Sequence, residues 1–218
     1  MNESTLKQIE ALDLDPARPL VICDVDEVTV HFLKGFESFL EERDLWLDAR
    51  SFALNGNIKK RMTHEAVPQA DVGGLLMGFF AERTRHLEAI EGAADTLESL
   101  SGPADVVMLT NIPEAFREDR IANLKGHGMP YPVIANSGPK GPAVTQIARA
   151  HEGPVVFIDD IPHYLSSVRD HRPHTHLVHF MQNERFARHV GPLDYVHVTA
   201  ATWADLHPRL ADILGIGE

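Results

Sequence analysis

The 218-residue sequence has a single cysteine, Cys23. No disulfide can form within the chain, and nothing points to an oxidising compartment. A basic surplus is also lacking: Lys and Arg number 20 against 32 Asp and Glu, a net charge of −12 with His neutral. That balance counts against a nucleic-acid-binding protein or one held on an anionic membrane. It leaves room for a small anionic substrate, because a bound cation and one lysine can reverse the field locally. Nor is there a long apolar run. The longest, Val72 to Ala81, is too short to cross a bilayer. The opening stretch, MNESTLKQIEALDLD, is amphipathic and acidic, unlike a secretory leader. The expectation is a cytoplasmic protein with neither nucleic acid nor membrane as partner. Internal repeats and low-complexity tracts are absent.

What is present is a rhythm of apolar runs and helical patterns. Leu20 to Cys23 reads as a buried strand, and it runs straight into Asp24-Val25-Asp26. Residues 33–45 then carry Phe36, Phe39 and Leu40 on one helical face. From there to about residue 90 the alternation of strand and helix is lost, with a turn signal at Asn55-Gly56-Asn57 and another helical stretch over 69–88. The rhythm resumes at Glu91-Gly92. Strands are expected at 104–109, 131–135, 154–158, 176–180 and 195–198, with helices between them opened by Pro113, by Lys140-Gly141-Pro142 and by Pro162, and a last helix over 200–214. This spacing predicts an α/β fold, a Rossmann-like three-layer sandwich with a central parallel sheet. Residues 1–33 and 91–218 would form the core domain, and 34–90 a small, mostly helical cap inserted after the first strand.

Polar groups of different kinds sit at the strand ends. The first strand gives Asp24 and Asp26, the second Thr110 and Asn111, and the fourth Asp159 and Asp160, while Lys140 stands at a helix start before the fourth. In a parallel sheet these ends point the same way and can converge. Two acids ending a buried strand resist ionising together, and a hard cation such as Mg²⁺, which takes oxygen ligands, removes that difficulty. The set suits phosphoryl transfer: a carboxylate nucleophile, a hydroxyl donor, an ammonium and a metal ion.

DVDEV, LTN (Leu109 to Asn111), the lysine of GPKG and FIDD (Phe157 to Asp160) resemble, in order, the four motifs of the haloacid dehalogenase superfamily of phosphohydrolases. The resemblance spans about residues 20–170. It implies a Mg²⁺-dependent phosphatase acting on a small phosphorylated metabolite through an aspartyl-phosphate. Asp24 would be the nucleophile and Asp26 the acid and base. Thr110 and Asn111 would bind the phosphoryl group, and Lys140 would orient Asp24. Mg²⁺ would be held by Asp24, the backbone carbonyl of Asp26 and Asp160, with Asp159 behind Asp160 or in its place. An acid at position 26 argues against the dehalogenating branch, which lacks one there. Two positions depart from the family pattern: Glu27 stands where Gly is frequent, and Tyr164 where many members carry another acid.

Other features are weaker. His171, His174, His176 and His179 follow the fourth strand without a ligand-spaced set of carboxylates or Cys among them and read as surface or structural residues. One of Lys59, Lys60, Arg61 or His64 could reach a second anionic group on a substrate. The Leu75 to Phe80 run reads as cap core or as the contact of a homodimer rather than a substrate pocket, although a cap facing the site could be both. Two rival readings stand beside the phosphatase: a phosphoacceptor switch that does not hydrolyse, and a member weakened at Glu27 and Tyr164 that only binds.

Overall fold

The computed structural model describes residues 1–216. Apolar runs bounded by Pro and Gly give the strands of the main sheet: β1 (Leu20–Cys23), β4 (Asp105–Thr110), β5 (Val133–Ala135), β6 (Val155–Asp159), β7 (His176–Phe180) and β8 (Val198–Ala200). They pair in the order β5-β4-β1-β6-β7-β8, every pair parallel. The chain moves outward from β1 through β4 to β5, then returns to β6 on the other side of β1. The order therefore reverses at β1, the place where open α/β sheets bind ligands.

Successive residues of β1 face opposite ways, as strand geometry requires. Leu20 and Ile22 join a core with α1 (Glu3–Glu10), α6 (Gly141–Ile147) and α7 (Pro162–His171). Val21 and Cys23 join a larger core with α4 (Ala93–Ser101), α5 (Arg117–Gly126) and α9 (Trp203–Leu214). Helices thus cover both faces, and the α/β sandwich expected from the sequence is the fold. A short α8 (Glu184–Ala187) follows β7 and is absent from the sequence expectation.

Between β1 and α4 the chain forms α2 (Phe32–Glu41), an antiparallel ribbon of β2 (Leu45–Leu47) and β3 (Ile58–Lys60), and α3 (Gln69–Arg83). The ribbon is an addition to the mostly helical insertion expected from the sequence. Helix α2 stops at Glu41 rather than 45, and Asp44, at φ 54°, turns the chain into β2. Phe36, Phe39 and Phe79 pack edge-on, with ring centroids 5.1 Å apart for Phe36–Phe79 and 5.7 Å for Phe39–Phe79. This cluster is continuous with the larger core, so the Leu75 to Phe80 run is interior packing at Phe79 and Phe80. Several ends also shift: α3 closes at Arg83 rather than 88, β5 opens at Val133 rather than 131, α6 closes at Ile147 rather than 151, and β8 runs Val198–Ala200 where 195–198 was expected. No described helix is long and apolar enough to cross a membrane.

Candidate active site at the carboxyl rim of the sheet

Asp24 is the first residue past β1, and its backbone N–H donates to the Ile158 carbonyl at 2.9 Å, which ties the end of β1 to β6. Asp159 closes β6 and Asp160 follows it; all three acids are buried. Lys140 caps α6 and is 0% exposed. Its Nζ lies 2.5 Å from Asp24 Oδ1 and 2.7 Å from Asp159 Oδ2. The Tyr164 ring lies 5.0 Å from the ammonium, a distance at which a ring face attracts a cation. Gly141 makes the placement of Lys140 possible. A Cβ there would meet the Ser167 carbonyl oxygen at 2.3 Å, so only glycine lets α6 start this close to α7.

One ammonium serves three buried carboxyls, and the charge does not balance. Burial pulls Lys140 down, but Asp159 and Asp24 outweigh it and hold the ammonium above its ordinary value. Burial pushes Asp24 up to about 7 against the pull of Lys140, with Asp159 and Asp26 adding to the rise. Asp159 is raised by burial, opposed by Lys140. Asp160 is raised well above the usual carboxylate range by burial and then by Asp159, Asp24 and Glu27. Three carboxylates and one ammonium leave the charge of one divalent cation uncompensated.

The residues fit such a cation. One carboxylate oxygen each from Asp24, Asp159 and Asp160 lies within 4.8 Å of the others. Asp160 Oδ1 is buried with no hydrogen-bond partner, an arrangement that is costly unless something binds it. Asp159 is different: Oδ2 takes Lys140, and Oδ1 accepts the Ile161 N–H at 2.9 Å. Of the two late acids, Asp160 is therefore the better-placed ligand, and Asp159 anchors Lys140. His179 supports the pair from below, with Nε2 3.1 Å from the Asp160 carbonyl oxygen.

Asp26 points to the other side of the rim. Its Oδ1 lies 2.5 Å from Nη2 of Arg120, and Thr110 Oγ1 donates to its Oδ2 at 3.4 Å. Arg120 is wholly buried on α5, and its Nε and Nη1 have no partner. The sequence reading misses this residue. A signal was present: Arg120 stands four residues from Phe116 and from Leu124, a charge in an apolar stripe. Asn111 Nδ2 donates to the Tyr164 hydroxyl at 2.8 Å and to the Gly138 carbonyl at 3.0 Å. Tyr164 thus holds Asn111 and covers Lys140.

Glu27 explains the other departure. Its φ is 61°, a conformation that favours glycine. Its Oε1 accepts the Leu33 N–H at 2.7 Å and so caps the first turn of α2. Burial pushes its carboxyl up to about 7, against the hydrogen bond from Leu33.

Above the rim lies a cavity of about 260 Å³, walled on one side by Asp24, Asp26, Lys140 and Asp160 and on the other by apolar residues of the inserted segment. Every acid, hydroxyl, amide and ammonium singled out from the sequence is brought to this rim. The basic run of the insertion is not. Lys59 pairs with Asp48 at 2.5 Å, Lys60 with Glu65 at 3.5 Å and Arg61 with Glu41 at 2.6 Å. His64 packs edge-on to Trp46. None of the four lines the cavity, because acids of the same segment satisfy the three cations on its outer surface. Among the described residues, the three Asp carboxyls are the only acid, His or Cys group gathered closely enough to hold a metal ion.

No known protein-family profile and no curated protein sequence matches this chain. Solved structures do. A HAD family hydrolase from Deinococcus radiodurans, with bound phosphate and sodium, aligns over 93% of this chain and 98% of its own at 19% identity, with a TM-score of 0.60. The HAD-hydrolase YfnB from Bacillus subtilis, bound to magnesium, aligns over 90% and 99% at 13% identity, TM-score 0.61. A defluorinating L-2-haloacid dehalogenase aligns over 89% and 95% at 15% identity, TM-score 0.55. The chain has the haloacid dehalogenase-like fold.

Proposed function

We propose that this protein is a Mg²⁺-dependent phosphohydrolase that cleaves a small phosphomonoester through an aspartyl-phosphate at Asp24. The observation that carries the reading is Lys140 bridging Asp24 and Asp159 beside the unpartnered Asp160 Oδ1. A site built this way binds a divalent cation and presents one carboxylate oxygen to an incoming phosphorus. The phosphate and magnesium in the first two similar structures support the choice, although the third is a dehalogenase.

Asp24, Asp160 and the Asp26 backbone carbonyl would hold Mg²⁺, which supplies positive charge to the phosphoryl oxygens when bound. The carboxylate of Asp24 attacks phosphorus and the ester P–O bond breaks. The leaving oxygen takes a proton from Asp26. Water then attacks the phosphorus of the aspartyl-phosphate and gives its proton to Asp26. The bond from phosphorus to Asp24 breaks, which releases inorganic phosphate and restores both acids. Lys140 would fix the direction of Asp24; Asn111, on the cavity wall, and Thr110, which now donates to Asp26, would turn to donate to the phosphoryl oxygens. The inserted segment, residues 34–90 with the start of α2, would act as the cap that excludes water.

Asp26 can serve only if it turns from Arg120 toward the leaving oxygen. That pair favours the phosphoacceptor as the second reading, in which Asp24 is phosphorylated and the second half-reaction is slow. Asp24→Asn tests both, with a generic aryl phosphate and Mg²⁺. The expected result is a loss of at least about a thousandfold in kcat, as for removal of a covalent nucleophile. A variant that keeps full activity overturns the mechanism. A wild type that takes up one phosphoryl group and stops identifies the phosphoacceptor.

A further inference from the structure

Beyond the rim residues, the lining of the cavity is mostly apolar, with Phe32 of α2, Phe52 and Leu54 between the ribbon strands, Leu76 and Phe80 of α3, and Phe186 of α8; its other polar members, Ser51, Gln182 and Asn183, are uncharged. Among the described residues, Lys140 is the only cationic side chain lining the cavity, and Asp24 and Asp159 already hold it. The fourth acid facing the space is Glu27. The cations of the inserted segment are spent elsewhere, on Asp48, Glu65, Glu41 and, for Arg43, Glu82 at 2.7 Å. Arg185, beside the apolar wall in sequence, is held by Glu37 at 2.6 Å.

Building on the phosphohydrolase reading, we infer that the substrate is a phosphomonoester whose alcohol part is uncharged and apolar, an aryl or branched alkyl group. A carboxylate or second phosphate in that part would lose its water against Phe and Leu side chains and meet Glu27, with no cation to compensate it. Nucleotides and sugar bisphosphates carry such a second charge and are disfavoured on that ground.

A pair of matched shape tests this. 4-Isopropylphenyl phosphate and 4-carboxyphenyl phosphate carry para groups of the same branching and heavy-atom count, one apolar and one charged. The expected ratio of kcat/KM with Mg²⁺ is at least about a hundredfold in favour of the isopropylphenyl ester, and Leu76→Lys, at a half-buried position, should shrink it at least about tenfold. Binding of 4-isopropylbenzylphosphonate and 4-carboxybenzylphosphonate to the wild type, measured by calorimetry with Mg²⁺, separates the two readings. Turnover with equal or reversed preference overturns the inference and leaves the phosphohydrolase standing. No turnover, with 4-isopropylbenzylphosphonate bound at least about tenfold more tightly, overturns the phosphohydrolase and leaves the apolar selectivity standing. Neither turnover nor binding overturns both.

Discussion

Glu27 combines two opposing effects in one side chain. Its positive φ costs an L-residue roughly 1 kcal/mol, whereas its hydrogen bond to the Leu33 N–H stabilises α2 by a similar amount. Its charge adds a third effect. The carboxyl is raised from an ordinary 4.5 to about 7, so between those values the unfolded chain has released a proton that the folded one keeps. Stability therefore falls as pH rises through this window, and the full cost, at most about 3 kcal/mol, is present above it. Glu27→Gln keeps the acceptor and removes the charge. In metal-free buffer it should raise the Tm at pH 8 and leave it unchanged near pH 4.5; thermal denaturation at both pH values checks this. The role of Glu27 was only half legible. Its position after Asp26 marked it as unusual, but the cap on Leu33 depends on how α2 enters, which no local pattern specifies. Arg120 was missed for the opposite reason: α5 reads as a charged surface helix, REDRIANLKG, and although the spacing from Phe116 and Leu124 puts Arg120 on its apolar stripe, its pairing with Asp26 depends on the fold.

Among the elements, the strands were the most legible. Leu20–Cys23, Asp105–Thr110 and Val155–Asp159 are runs of β-branched and aliphatic residues with Pro or Gly before them, and each ends at a polar residue that reaches the rim. The ribbon β2–β3 was illegible because Leu45 and Leu47 extend the apolar pattern of α2 and each of its strands has three residues. Strand β8 was misplaced because Tyr195 looks like a strand residue, yet its hydroxyl donates to the Pro162 carbonyl at 3.0 Å from a loop. The junction of α6 with α7 carries a prediction. In Gly141→Ala the new methyl collides with backbone at Ser167, which cannot yield as a side-chain tip would. Helix α6 must shift, and Lys140 at its cap moves with it. The expected loss is about 1–3 kcal/mol in urea denaturation, typical of overpacking. Hydrolysis should fall by more than the folded fraction does, because Nζ leaves Asp24.

Taken whole, the molecule gathers three carboxyls against one ammonium at the point where its strand order reverses. Metal-free, Asp24 titrates near 7, above its ordinary 3.8, so the folded state holds a proton there that the unfolded chain has lost. That contribution again falls as pH rises from about 4 to 7. Mg²⁺ takes only the ionised carboxylates, and its binding stabilises the folded state by mass action. The rise in Tm on adding Mg²⁺ should accordingly be larger at pH 8 than at pH 5.5, and Asp160→Asn should abolish most of it. A rise independent of pH would place the ion elsewhere.

The central claim is that Asp24 carries the phosphoryl group between two half-reactions. Rapid acid quenching during turnover of an aryl phosphate with Mg²⁺, followed by peptide mass analysis, tests it directly. The expected result is one phosphoryl group on the peptide containing Asp24, its amount raised if the pairing of Asp26 with Arg120 slows the water step. Turnover that leaves this peptide unmodified while the phosphoryl group is found on another residue would contradict the account.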